Sequence, residues 1–238
     1  MKKIILAAGC MLFLLAASAQ DQFMVDPNVS LRTLHGSFNK IRISNAIRVI
    51  ITQSDKETLA VSAGEEKYKE EIKTEIVNNT LVIYQKGGNE WRNKDRKLRV
   101  YVSFRELSQL EVSGASDVAA VGKLTMSELT LKISGASTFK GEFALNRLEL
   151  DMNGASKATL SGNVEWLNLD CSGATDLNAF DLKIISANTT VSGASDVDIS
   201  VEKELNATAS GASRIHYKGN AAVVNVKASG ASAVSRKD

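Results

Sequence analysis

Two aspartates and a lysine recur at the same place relative to a repeated motif, and such a set could cleave polysaccharides. Asp176 and Asp196 each follow a motif glycine by three residues, and Lys157 has the same place one motif earlier. Glycoside hydrolases use paired carboxylates, and such pairs can also hold a metal ion. One function is therefore a polysaccharide lyase or hydrolase that acts on an acidic glycan. The alternative, which we favour, is a solvated face with one lysine–aspartate pair and no catalytic residues.

Two tryptophans are the candidates for ligand binding, because aromatic rings on a flat face are typical of carbohydrate-binding proteins. Trp166 precedes the inward Leu167 in an alternating pattern, so its indole is predicted to point outward. A tryptophan exposed on a sheet is uncommon. Trp91 lies in a polar loop over residues 86–97. For each tryptophan, the alternative is packing against a neighbouring strand.

The remaining reactive side chains predict neither a metal site nor a cofactor. His35 and His216 lie far apart, and no cluster of cysteines and histidines has the spacing of metal ligands. His216 alternates with apolar neighbours, so we expect it to be exposed on a strand. Cys171 replaces an apolar residue of the repeat, which predicts a small buried side chain rather than a nucleophile.

The elements that position these residues are predicted from a tetrapeptide of the form Ser-Gly-Ala-Ser. It stands at Ser113–Ser116, Ser134–Ser137, Asn153–Ser156, Ser172–Thr175, Ser192–Ser195, Ser210–Ser213 and Ser229–Ser232. The central glycines follow one another at steps of 21, 19, 19, 20, 18 and 19 residues. Such even spacing of near-identical motifs is typical of a solenoid.

Alternating apolar residues before the motifs predict strands that share one inward face. Leu129, Leu131 and Ile133 precede one copy, and smaller residues take the same places in later copies. Variable coil length favours right-handed winding, which is also the rule for parallel crossovers. The predicted fold is all-β: a right-handed parallel β-helix (β-solenoid) with coils of about 18–21 residues and a less regular N-terminal β region.

The motif itself predicts a tight corner between strands. Its glycine suits a positive φ, and its alanine is expected to point into an interior too cramped for a larger side chain. The serines on either side could satisfy backbone groups that the sheets leave unpaired. A row of nucleophiles and a hydroxyl-lined ligand track are the functional alternatives for these serines, and we favour the structural role.

The first nineteen residues have the pattern of a secretory signal peptide. Lys2 and Lys3 precede an apolar run from Ile4 to Leu15, and a small-x-small site ends at Ala19. The run is too short for a transmembrane anchor. Lipidation at Cys10 is the alternative, but the apolar stretch before this cysteine is only five residues long. We therefore expect export to the periplasm, the outer membrane surface or the medium.

The mature chain is predicted to form a single domain. Residues 1–19 are the signal peptide, 20–34 a lead-in segment and 35–238 one β-helix domain, with irregular N-terminal β coils over 35–109 and the repeats over 110–238. Within the irregular coils, residues 65–71 could form a helical turn, and Asn78-Asn79 predicts a tight turn.

Charge and cysteine content argue against a nucleic-acid-binding protein and against a protein stabilised by disulfides. Without Lys2 and Lys3, the 29 basic residues fall to 27, which balances 27 acidic residues. A neutral mature chain has no broad basic field, so we expect no nucleic-acid partner. Cys171 is the one cysteine after Ala19, so no disulfide within the mature chain is expected, and no transmembrane segment follows the signal peptide.

Three segments resemble the head GIN domain family, which is described as auto-transporter adhesins. They are residues 38–44 (FNKIRIS), 78–83 (NNTLVI) and 107–118 (LSQLEVSGASDV). The resemblance covers essentially the whole mature chain, and the repeated motif makes it fairly specific. It implies an exported bacterial β-helix with no assigned biochemical activity.

We therefore expect an exported cell-envelope module that binds a glycan or another cell-surface component and is not an enzyme. A structural role in an envelope assembly is a further alternative. The last motif ends six residues before Asp238 with no capping helix, so its strand edges would be unpaired. This predicts a homodimer through the C-terminal coil.

Overall fold

The computed structural model describes residues 28–86 and 96–237 and is a parallel β-solenoid of about seven turns, which confirms the predicted fold class. The strands are β1 (Ser30–Arg32), β2 (Lys40–Ser44), β3 (Arg48–Gln53), β4 (Thr58–Ser62), β5 (Ile72–Val77), β6 (Thr80–Gln85), β7 (Arg99–Phe104), β8 (Gln109–Val112), β9 (Asp117–Ile133), β10 (Thr138–Met152), β11 (Lys157–Cys171), β12 (Asp176–Val191), β13 (Asp196–Ala209), β14 (Arg214–Lys218), β15 (Ala222–Ala228) and β16 (Ala233–Arg236). One helical turn, α1 (Glu66–Lys69), lies between β4 and β5. The right-handed sense stays a prediction.

The regular coils, β9 to β13, stack in parallel with equivalent residues in register. Leu148 of β10 pairs with Leu167 of β11, which pairs with Ala187 of β12. Alternate side chains point into one continuous core, where Leu148, Leu167 and Ala187 are each at most 1% exposed. Because the register repeats from coil to coil, every outward position also forms a column along the solenoid axis.

The N-terminal coils are less regular because strands are inserted between sequential neighbours. β2 pairs in parallel with both β6 and β8, and β3 pairs in parallel with both β7 and β9. The first coil in sequence therefore lies inside the stack. β4 and β5 run antiparallel to their partners β7 and β6. The turn at Asn78 and Asn79 has φ of 50° and 60°, as the sequence predicts.

The described part of the expected lead-in segment, residues 28–34, contains a strand. Its strand β1 pairs antiparallel with β4, from Ser30 against Val61 to Arg32 against Leu59. The Arg32 guanidinium also donates to the carbonyls of Lys69 and Ile72, at 2.8 and 2.7 Å. These long-range bonds hold a strand that is too short to be recognised from its own apolar pattern.

The seven motif glycines form a single row, and each has a positive φ between 70° and 92°. From Ala136 onward, the amide of each motif alanine donates to the carbonyl of the motif glycine one coil earlier, as Ala174 does to Gly154 at 2.7 Å. The corner therefore continues the hydrogen-bond ladder of the sheets. The prediction that these corners stack on one another is confirmed.

The inward position of the corner is the serine, and the prediction that alanine points inward is wrong. Ala136, Ala155 and Ala174 are exposed, whereas the last residues of six motifs are at most 2% exposed: Ser116, Ser137, Ser156, Thr175, Ser195 and Ser213. Ser116, Ser195 and Ser213 each make a local hydrogen bond that favours the inward position, whereas the buried hydroxyl of Ser156 has no hydrogen-bond partner within the described residues. The Ser195 hydroxyl donates to the carbonyl of Ser192 at 2.9 Å, and this carbonyl lies at the turn. An alanine could not make this bond.

An eighth corner lies in the first coil, where Asn45 and Ala46 replace glycine and alanine. Ser113 and Asp117 donate backbone bonds to Ile43 and Ile47 on either side of this corner, at 2.9 and 3.0 Å. Asn45 has φ of 66°. Asparagine tolerates this left-handed conformation better than most residues with a Cβ, so the corner keeps its shape without the motif.

Replacing a corner glycine tests whether the close stacking of coils limits the motif. In Gly173→Ala, the new Cβ would lie 2.5 Å from the carbonyl oxygen of Gly154, whereas in Gly122→Ala it would meet no atom within 4 Å. Both glycines have positive φ, so both variants carry about 1–2 kcal/mol of backbone strain. We expect Gly173→Ala to lose about 1–3 kcal/mol more unfolding free energy in urea, because of the added collision. Equal losses in the two variants would contradict the stacking argument.

Candidate functional site

Trp166 lies on the outer face of β11. It is 40% exposed, and the following Leu167 is buried. This confirms that alternation turns the indole outward. In the register of the stack, Arg147 of β10 and Ser186 of β12 flank it on the neighbouring coils. Ile185, which is 37% exposed, directly precedes Ser186. Two large apolar side chains are thus exposed on adjacent coils.

The second tryptophan, Trp91, lies outside the described residues. Trp166 is therefore the candidate whose surroundings the structure defines.

A column of amides runs beside Trp166, and the sequence reasoning did not find it. Asn168 pairs in register with Asn188, Asn188 with Asn206, and Asn206 with Asn225. We call these four residues the asparagine column. Each stands five residues before the motif glycine of its coil, in the same place as Glu149, which lies next to Asn168 on β10. Alignment of the outward positions, as well as the inward ones, would have found this column.

The asparagine column is bonded at one end and open at the other. Asn225 donates through Nδ2 to Oδ1 of Asn206 at 3.2 Å, and Asn206 donates through Nδ2 to a carboxylate oxygen of Glu204 at 3.1 Å. Within the described part of the chain, the side-chain amides of Asn168 and Asn188 have no protein hydrogen bond, and both are exposed. The open amides are those nearest to Trp166.

The outer face around Trp166 carries an excess of negative charge. Its outward positions on β9 to β13 include two cations and five carboxylates, a net charge of −3: Lys132, Arg147, Glu128, Glu149, Asp151, Asp170 and Glu204. Two of these carboxylates have a cation nearby, since Lys132 lies 3.8 Å from Asp151 and Arg147 lies 3.9 Å from Glu128.

Glu149 and Asp170 have no ion-pair partner among residues 28–86 and 96–237. Glu149 lies next to Asn168 in register, and Asp170 follows Asn168 by two residues on the same strand. We refer to Trp166, Asn168, Asn188, Glu149 and Asp170 as the tryptophan face.

An open groove of about 390 Å³ borders the tryptophan face, between the strand ends and the corner row. Its lining alternates charged side chains with hydroxyl and amide groups: Arg42, Glu111, Lys132, Asp151, Asp170, Ser113, Ser134, Asn153 and Ser172. The groove crosses five coils, from β2 to β11, parallel to the solenoid axis.

Asp176 and Asp196 lie on the strands that follow the corner, and the structure pairs them on adjacent coils as predicted. Each has its own cation. Lys157 contacts Asp176 at 2.6 Å, and the Arg214 guanidinium binds both carboxylate oxygens of Asp196 at 2.6 and 2.7 Å. These bonds lower the pKa of Asp196 below its ordinary value. The set is a row of ion pairs on an exposed face.

The remaining candidate residues lie apart from one another. His35 is exposed near the N-terminal end of the described chain. His216 is half-buried and lies 3.0 Å from the Asp198 carboxylate. Cys171 is buried in the core, where desolvation raises the pKa of its thiol to about 12, as expected for a packing residue. No group of three or more potential metal ligands lies within the described residues.

Within residues 28–86 and 96–237, no helix is long and apolar enough to cross a bilayer.

A family model described as "Putative auto-transporter adhesin, head GIN domain" matches residues 37–221. No curated protein matches the chain.

Solved structures of similar fold come from Bacteroides and Parabacteroides species. A "putative adhesin" from Bacteroides fragilis is 20% identical, has a TM-score of 0.81, and aligns over 89% of this chain and 98% of its own. A "putative adhesin" from Parabacteroides merdae is 21% identical, with a TM-score of 0.69 and coverage of 89% and 97%. A "putative lipid binding protein" from Parabacteroides distasonis is 18% identical, with a TM-score of 0.68 and coverage of 90% and 97%. At these identities the likeness shows the fold.

The Asp196–Arg214 pair gives a test of how the ion-pair row behaves in solution. Removing the guanidinium in Arg214→Gln should raise the pKa of Asp196 toward its ordinary value, because the largest cause of the lowered pKa is the hydrogen bond from Arg214. The pair should stabilise the fold above the ordinary aspartate pKa, and this contribution should vanish as the pH falls through the lowered value. Carboxyl-carbon NMR titration measures the shift. Lys203→Gln, on the same strand, is the control and should leave Asp196 unchanged; an unchanged Asp196 in Arg214→Gln would refute the assignment.

Proposed function

Because the chain belongs to the head GIN domain family, we propose that it is an exported cell-envelope module that binds a glycan or another cell-surface component and catalyses no reaction. Residues 1–19 direct export, with cleavage after Ala19. The mature protein then acts in the periplasm, on the outer membrane surface or in the medium. The adhesin description of the family supports a binding role.

The observation that carries this proposal is the exposed indole of Trp166 on a rigid sheet. The strand beneath it is hydrogen-bonded to a neighbour on both sides, and Leu167 and Leu169 behind it are each 1% exposed. A binding surface that is already ordered loses little conformational entropy when a ligand docks. An indole left 40% exposed on such a surface gains free energy when a sugar ring or another apolar surface covers it.

The ion-pair row supports a role without catalysis. A glycoside hydrolase needs a carboxylic acid that stays protonated near neutral pH, and this requires a raised pKa. Asp196 instead has a lowered pKa, and Asp176 is bound by Lys157. A lyase or hydrolase that acts through Asp176, Asp196 and Lys157 would first have to break these ion pairs.

The edge of the coil formed by β15 and β16 is the surface for the proposed homodimer. Among the described strands, β15 pairs only with β13, and β16 pairs only with β14. Val226 is 46% exposed, whereas Ala207, its partner one coil earlier, is 2% exposed. A second copy of this chain, placed edge to edge, would pair these strands and cover the valine.

The binding proposal predicts that Trp166→Ala loses at least tenfold in affinity for the glycan or envelope fraction that the wild type binds, because the stacking surface is removed. The double variant Asp176→Asn, Asp196→Asn should bind like the wild type. Binding is measured on a glycan array and on isolated envelope fractions, with thermal melting as the check on folding. Retained binding in Trp166→Ala, or turnover of a glycan that the aspartate variant abolishes, would contradict the proposal.

The homodimer proposal predicts a dimer mass for the purified chain that falls to the monomer mass in Val226→Glu. Buried carboxylates at the strand edge would oppose pairing, while the exposed site tolerates the change in the monomer. Light scattering coupled to size-exclusion chromatography gives the mass. A wild-type chain that stays monomeric at high concentration would overturn the proposal.

A further inference from the structure

The asparagine column matches an extended polymer better than a small ligand. Its members lie on successive coils of a parallel stack, so neighbouring amides are spaced by ~4.8 Å along the solenoid axis. This is close to the advance of one sugar in an extended glycan chain. Each coil would therefore offer one amide to each sugar residue of a chain that lies parallel to the axis.

The chemistry of the column suits hydroxyl groups. A side-chain amide both donates and accepts, and a carboxylate accepts two hydrogen bonds, so vicinal hydroxyls of a sugar can satisfy both groups. Asn168 and Asn188 have these sites free of protein partners, as described above. Trp166 lies two residues from Asn168 on the same strand, ~7 Å along the chain, so the indole and the amide can contact adjacent parts of one glycan.

The charge of the tryptophan face selects against acidic polymers. Its carboxylates, Glu149 and Asp170, have no ion pair and border Asn168, and the seven charged outward residues around them on β9 to β13 have a net charge of −3. A uronic acid or sulfated sugar at this position would lie close to two carboxylates, with Arg147 already near Glu128. Neutral sugars avoid this repulsion, and amino sugars would be attracted.

We infer that the ligand of the tryptophan face is an extended, non-acidic glycan that lies along the solenoid axis, with successive sugar residues over Asn168 and Asn188 and with the Trp166 indole against the side of the sugar on Asn168. This inference rests on the proposed binding function and names its ligand class. The inferred ligand differs from that of the enzymatic alternative, whose substrate would be an acidic glycan.

Two exposed asparagines on β12 provide a matched pair of variants. Asn188 belongs to the asparagine column, whereas Asn178 lies on the face that follows the corner, in register with Asp198. Neither side chain has a hydrogen bond within the described residues, so each alanine substitution should leave folding unchanged. Only Asn188→Ala removes a contact to the inferred ligand.

The test is affinity electrophoresis of the full chain, which measures how far a polysaccharide in the gel retards its migration. Each gel contains one soluble polysaccharide. The neutral probes are hydroxyethylcellulose, xylan, galactomannan and dextran, the amino probe is glycol chitosan, and the acidic probes are polygalacturonate and alginate. We expect retardation by at least one non-acidic probe and by neither acidic probe. For the retarding probe, Asn188→Ala should raise Kd about fivefold, Trp166→Ala should abolish retardation, and Asn178→Ala should match the wild type.

The other outcomes show whether the inference fails alone or together with the proposed function. Retardation by the acidic probes alone, or equal Kd values for Asn188→Ala and Asn178→Ala, would overturn the inference and leave a binding role intact. Binding to envelope fractions without retardation by any non-acidic probe would do the same. No binding to any polysaccharide or envelope fraction would overturn the inference and the proposed function together.

Discussion

The close approach of one coil to the next at the motif corner is the constraint on which the rest of the molecule depends. A Cβ on Gly135, Gly154 or Gly173 would lie 2.4–2.8 Å from the carbonyl oxygen of the preceding corner glycine. Only a residue without a side chain fits this gap, and its positive φ lets the next alanine amide reach that same carbonyl. The corner thus keeps successive coils at sheet spacing, and the strands on both sides inherit a common register.

The common register determines which side chains lie next to one another on the surface of the solenoid. Residues at equal distance from a motif glycine form a column, so a side chain on one coil meets the same position of the next. One face collects ion pairs, such as Lys157 with Asp176 and Arg214 with Asp196. The other face collects an exposed indole, open amides and unpaired carboxylates. Because the core behind both faces is continuous, both faces are ordered in the unliganded fold.

Much of this architecture could be predicted from the sequence, because glycine spacing and period-two alternation report backbone constraints directly. The outward indole of Trp166, the buried Cys171 and the neighbouring Asp176 and Asp196 all follow from counting residues relative to the motif. The prediction placed alanine inside the corner, whereas the structure places serine there. The bond from the Ser195 hydroxyl to the carbonyl of Ser192, which compensates for burial of a polar group, is visible only in the folded chain. The corner at Asn45 was not predicted, because there an asparagine adopts the positive φ that glycine adopts in the motif. The asparagine column was missed because outward positions carry no hydrophobic signal, and the pairing of β1 depends on contacts far away in sequence.

The most direct test of the central claim, that stacked coils present Trp166 and the adjacent asparagines as one binding face, is an NMR titration of the full chain with the glycan that it binds. The account predicts that the Trp166 indole resonance and the Asn168 and Asn188 side-chain amide resonances shift together at one Kd, while the Asn178 amide does not move. Shifts confined to the face that carries Asn178, or spread through the corner row without Trp166, would contradict it.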